Sequence, residues 1–122
     1  MSEYYKWNND FSKVYLEDSY VLEVKENTNA IEFLMEFVLT EKHPDYAPPK
    51  PNEQYCYKKG EIIFSNIKHI NWIEQSFNPI EDADGEIDYG NIDSFVFEDG
   101  KYHLEGEWGE VLIESDTPKI IF

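Results

Sequence analysis

Residues 31–39 read I-E-F-L-M-E-F-V-L. Ile31, Phe33, Met35, Phe37 and Leu39 fall at every second position, with Glu32 and Glu36 between them. Successive side chains of a strand point to opposite faces, so this pattern describes a sheet with one buried and one solvated side. It fixes an antiparallel β core, because parallel sheets bury both faces and lose such alternation.

The rest of the chain repeats the theme in shorter pieces. Tyr20, Leu22 and Val24 alternate with Val21, Glu23 and Lys25, which predicts a strand, preceded by another around 14–17. Residues 26–29 (E-N-T-N) form a turn cluster, and the first three strands then make a meander. Segment 43–52 (H-P-D-Y-A-P-P-K-P-N) carries four prolines. Proline fixes φ and lacks a backbone donor, so this is a long ordered loop or a polyproline-II stretch, not a central strand. Segments 54–58 and 61–64 flank Lys59-Gly60, read as a hairpin turn, and Ser65-Asn66 is the next turn. Residues 67–74 place Ile70 and Trp72 on one strand face, with a helical turn near 74–77 as an option.

The best local signal comes later. Asp99-Gly100 is a type I′ dipeptide. A two-residue loop there sets Glu98 against Lys101, Phe97 against Tyr102, Phe95 against Leu104, Val96 against His103 and Ser94 against Glu105. Turn chemistry and hydrophobic pattern then agree on one register, with Phe95, Phe97, Tyr102 and Leu104 on the inner face. Gly106 and Gly109 bracket Glu107-Trp108 and predict a bulge or tight bend. A short strand at 111–113 follows, and the apolar tail 120–122 reads as an edge strand. The sum is a mainly β domain spanning 1–122. It is an antiparallel β-sandwich or barrel-like sheet of eight or nine short strands with at most one short helix. An α+β arrangement is the alternative.

Charge narrows the function. The chain carries 26 acidic residues against 10 basic ones, every one of the latter a lysine, for a net charge of −16. Nucleic acids and anionic membranes both require a cationic footprint, so neither is an expected partner. A basic protein is, because the field steers it inward. Cys56 is the single cysteine, so no intrachain disulfide forms and a reducing compartment fits. Residues 1–10 lack the apolar region of a signal peptide, so the expected location is the cytoplasm.

Three constellations hold candidate chemistry. The acidic loop 81–88 (E-D-A-D-G-E-I-D) offers Glu81, Asp82, Asp84, Glu86 and Asp88. Carboxylates at alternate positions before a glycine can converge on Ca²⁺, with Asp82, Asp84, Glu86 and Asp88 as its candidate ligands. The piece D-G-E-I-D resembles the middle of an EF-hand loop, but Ile80 stands where the first acidic ligand belongs and Asn91 replaces the closing Glu. Without Ca²⁺ no cofactor is expected. His103 and Glu105 share a strand face and offer two ligands to zinc, with a third needed from elsewhere. Glu105, Glu107 and Glu110 supply carboxylate pairs for acid–base work if a cleft gathers them. Tyr46, Tyr89 and Trp108, where exposed, are aromatic anchors within an acidic rim, the make-up of a protein-binding surface.

The stretches 54–58 (Q-Y-C-Y-K), 88–95 (D-Y-G-N-I-D-S-F) and 102–109 (Y-H-L-E-G-E-W-G) resemble those of small single-domain bacterial proteins of unknown function. In size and acidity the chain is also similar to toxin-neutralising immunity proteins. No nucleophile–base spacing appears. The leading expectation is a non-enzymatic interaction protein, in its most concrete form an acidic, immunity-type inhibitor of a basic partner. A small-molecule or Ca²⁺-binding domain and a small enzyme with a His/carboxylate site are the alternatives.

Overall fold

The computed structural model describes residue 6 and residues 10–51, 54–81 and 85–122. Ten strands lie among them. β1 spans Val14–Glu26, β2 Ala30–Leu39, β3 Tyr57–Ser65, β4 His69–Gln75 and β5 Ile80–Glu81. β6 spans Ile87–Asp88, β7 Ile92–Glu98, β8 Lys101–Gly106, β9 Gly109–Glu114 and β10 Lys119–Ile121. One antiparallel sheet has the order β1-β2-β3-β10 and a second β4-β9-β8-β7, while β5 and β6 form a small separate ribbon. Strand makes up 60% of the structure and helix 4%, which removes the α+β alternative and the helical turn at 74–77.

The core lies between the two four-stranded sheets. Ile31, Phe33, Met35, Phe37 and Leu39 of β2 are all buried, as the alternation requires. They meet Phe95, Leu104, Val111 and Ile113 from the other sheet in one cluster. Aromatic rings knit the layers together: Phe33 packs edge-on to Trp108 at 5.2 Å, Phe64 lies 5.9 Å from Phe95, and Phe11 packs edge-on to Phe95 at 6.0 Å. Each such ring removes enough apolar surface from water to contribute roughly 1.5–3 kcal/mol.

The two sheets join at both sides. On one side Asn66, at φ 53°, turns the chain from β3 into β4, while β9 passes back into β10 beside it. The two corners are tied by Lys68 N–H to the Glu114 carbonyl (2.8 Å) and Asp116 N–H to the Ser65 carbonyl (3.1 Å). On the other side Val21 N–H donates to the Gly90 carbonyl and Tyr89 N–H to the Val21 carbonyl, both at 2.8 Å. These bonds attach β1 to the segment that enters β7, so the sandwich has barrel-like edges.

Three expectations need correction. Residues 14–26 are one strand, not two, and the opening meander is a two-strand hairpin joined to β3 by the proline segment. The interruption is a bulge between Tyr15 and Tyr20, where buried Ser19 stands in for backbone. Its hydroxyl accepts from Val38 N–H (2.9 Å) and donates to the Tyr15 carbonyl (2.6 Å), so both of these backbone groups stay bonded where the strand bends. Lys59-Gly60 is not a turn, because β3 runs straight through it. Gly60 is there for space: a Cβ would overlap the Ile121 carbonyl of the neighbouring β10. Phe97 has the predicted partner, Tyr102, at 4.6 Å between rings, yet it is 52% exposed because the hairpin outruns the sheet it covers. Glu107-Trp108, by contrast, is the expected tight bend, a two-residue hairpin turn with Gly106 paired to Gly109.

Candidate functional site

The acidic loop is a short ribbon. Ile80 pairs with Asp88 and Glu81 with Ile87, so neighbouring residues alternate and Glu81 and Asp88 face opposite sides of it. Gly85, at φ 82°, serves the reversal. Asp82 and Asp84 lie outside the described residues. Glu86 is exposed. Asp88 is engaged locally: its Oδ1 accepts from Gly90 N–H at 2.8 Å, an Asx turn that aims the chain into β7. Of the four candidate calcium ligands, the two described ones therefore differ, Glu86 being exposed and Asp88 half-buried and bonded to nearby backbone.

Glu107 connects this ribbon to the second sheet. The face of Gly90 that would carry a side chain looks onto Glu107, whose Cβ lies 3.0 Å from the position a Cβ would take. The turn at 107–108 thus lies against the segment that leaves the ribbon. Beyond the turn, Glu105 pairs directly with Glu110 across β8 and β9. Glu110 in turn pairs with Glu74 of β4. His103 shares the outer face with Glu105, and its Nε2 lies 2.6 Å from Glu110 Oε2.

The three aromatics differ. Trp108 is 0% exposed and is a core residue, so it cannot anchor a partner. Its indole N–H donates to the Asn91 carbonyl at 3.0 Å, and its ring folds back over Gly106, where a Cβ would overlap Nε1. Tyr46 is half-buried against the core, beside the proline segment. Tyr89 is half-buried too, and its ring packs edge-on at 5.6 Å against Phe77. Phe77, not among the sequence candidates, is 37% exposed and also packs at 5.7 Å on Trp72. Ile87 stands 54% exposed in the ribbon. Phe77 was hidden in the reading of 74–77 as a helical turn; its place directly before Asn78-Pro79 was the available sign that it lies past the strand.

A groove of about 160 Å³ lies at the far end of β1 and β2, lined among others by Tyr15, Thr40, Tyr46, Pro49, Tyr55 and Cys56. Cys56 is half-exposed there. Near it His43 is only 7% exposed, and its Nδ1 accepts from Asp45 N–H at 2.9 Å. Burial holds its pKa below the ordinary histidine value. Lys58, 2.8 Å from Asp45, holds that carboxyl below its usual range. On the outer face of the first sheet, burial and the adjacent Tyr20 and Glu36 push the Tyr57 phenol up to about 12. A phenol so raised stays protonated at neutral pH, which gives Tyr57 a packing role against Tyr20 at 6.4 Å.

No family model, curated protein or solved structure matches the chain. No helix among the described residues is long and apolar enough to cross a membrane.

Proposed function

We propose that this is a binding protein that docks a basic protein partner, with an immunity-type inhibitor as the most concrete form. One observation carries the reading. Glu107 lies against Gly90, two residues past the ribbon that bears Glu81, Glu86 and Asp88, and the hairpin that holds Glu107 bears Glu105 and Glu110. Phe77 and Tyr89, the residue after Asp88, pack edge-on against one another, and Ile87 stands in the ribbon itself. An apolar centre inside a charged rim suits recognition: the rim steers encounter, and the desolvated centre supplies affinity. With a net charge of −16 the attraction for a cationic partner extends over the whole approach.

The test is capture from native lysate at low salt, repeated at about 0.5 M salt, where the Debye length falls to a few Å. The bait is compared with a variant carrying Glu81→Gln, Glu86→Gln and Glu107→Gln. A basic protein held by the parent at low salt should be retained about tenfold less by the variant, roughly 1.4 kcal/mol. Recovery of no basic protein, or retention indifferent to salt and to the three substitutions, refutes the reading.

A further inference from the structure

We infer that His103, Glu105 and Glu110 form a binding site for a zinc-class divalent metal ion on the outer face of the second sheet. The site is built by register. His103 and Glu105 are two apart on β8 and project to the same side. The two-residue turn at 107–108 then sets Glu110 directly opposite Glu105 and diagonal to His103. One ligand atom from each of the three residues lies within 4.8 Å of the other two.

The donor spacing fits one ion. Zinc binds nitrogen and carboxylate oxygen at about 2.0–2.2 Å, so two ligands on a tetrahedral ion stand about 3.4 Å apart. The His103 Nε2–Glu110 Oε2 distance of 2.6 Å is shorter than that, and the limit of 4.8 Å for the group is longer. Side-chain torsions alone can open the first and close the second. Register also flanks the imidazole with Val96 on β7 and Leu112 on β9, two apolar neighbours that limit where the ring can swing. Glu105 is exposed, which leaves the fourth position to water, as in zinc sites with three protein ligands.

The sheet itself presents a need for a cation. Glu74, Glu110 and Glu105 occupy paired positions on three successive strands, β4, β9 and β8. Like charges directly opposite one another destabilise a sheet. The imidazole answers only one of these carboxylates, Glu110. A bound dication would neutralise two and lower the field at the third. An imidazole nitrogen with two carboxylates suits zinc; calcium prefers six to eight oxygens and gains little from nitrogen. A plain His–Glu ion pair, by contrast, has no use for Glu105.

Zinc chloride is titrated into the full chain by calorimetry and thermal melting, and Co²⁺ replaces zinc for an absorption spectrum. The parent should bind one ion per chain, with a rising Tm and a cobalt spectrum showing nitrogen ligation. His103→Gln and Glu105→Gln should each weaken affinity at least tenfold and abolish that spectrum. Glu81→Gln with Glu86→Gln should change neither. Glu105 is exposed, so its variant tests the site even if His103→Gln does not fold. No binding at millimolar zinc overturns the inference. So does a loss spread equally over any acid removed, which marks diffuse binding to a polyanion. No partner protein enters this experiment, so its outcome is independent of the docking reading.

Discussion

Strand β8 is bounded by two hairpin turns of equal length that are encoded in different ways. At one end, Asp99 and Gly100 adopt φ 52° and 77°, the left-handed pair of a type I′ turn, and nothing lies within 4 Å of where a Gly100 side chain would start. The dipeptide alone specifies this turn. At the other end, Glu107-Trp108 is no type I′ dipeptide, and the flanking Gly106 and Gly109 mark a bend without specifying its form. Its conformation is dictated by where the indole goes: into the core against Phe33, with its N–H on the Asn91 carbonyl. The glycine at 106 is required because the Asn91 carbonyl and the returning ring together occupy its side-chain space. One turn is local chemistry, and the other is tertiary packing that a loop happens to perform.

The contrast breaks most visibly at Trp108. Trp108→Ala should cost about 3–5 kcal/mol, since it removes a fully buried ring that bridges the sheets. Chemical denaturation of parent and variant measures it. A loss under about 1 kcal/mol would mean that the turn, not the ring, holds β8 to β9. Gly100→Ala should cost much less, about 1 kcal/mol, because only the left-handed backbone is penalised and no neighbour is struck. In a chain of this size that is a Tm drop of about 4 °C. A loss comparable to Trp108→Ala would show that the open turn is also held by packing.

The same division explains what could be read from the residues in order. β2 was legible because its period-2 pattern needs no partner to interpret, and the register of β7 with β8 because turn and pattern agree. The continuity of β3 through Gly60 was not, because lysine-glycine looks like a turn until β10 is laid beside it. The candidate site divides likewise. His103 and Glu105 on one face follow from alternation. Glu110 beside them follows only if 107–108 is a two-residue turn, and Gly106 and Gly109 signal a bend there without fixing its length. The union of the ribbon with the second sheet through Glu107 and Gly90 has no sequence signature at all.

A third reversal, at residues 40–46, belongs with the packed kind and offers the smallest but most selective test. The proline-rich sequence predicts only an ordered loop. Two backbone bonds, His43 N–H to the Thr40 carbonyl (3.1 Å) and Tyr46 N–H to the His43 carbonyl (3.0 Å), are joined by two side chains: the Thr40 hydroxyl accepts from Lys42 N–H at 3.2 Å, and His43 Nδ1 from Asp45 N–H at 2.9 Å. The buried ring also packs edge-on at 4.4 Å against Phe122. An acceptor nitrogen carries no proton, so the native turn needs neutral His43. Burial is the main cause of its depressed pKa; Asp45 and Asp10 pull it upward, Lys13 and Lys58 downward. The sign follows. Between the folded pKa and the ordinary value of 6.5 the unfolded chain binds a proton that the folded chain refuses. The stability that His43 contributes is therefore complete above that value and is lost as pH falls through the window below it. Melting temperatures measured from about pH 7.5 to about pH 5 should decline for the parent. In His43→Asn the amide oxygen can accept the same bond without titrating, so the decline should be shallower, whatever the variant's starting Tm. The difference between the two slopes isolates this one group from every other that titrates. Equal slopes would mean that the turn tolerates a charged ring and that its closure does not depend on the nitrogen lone pair.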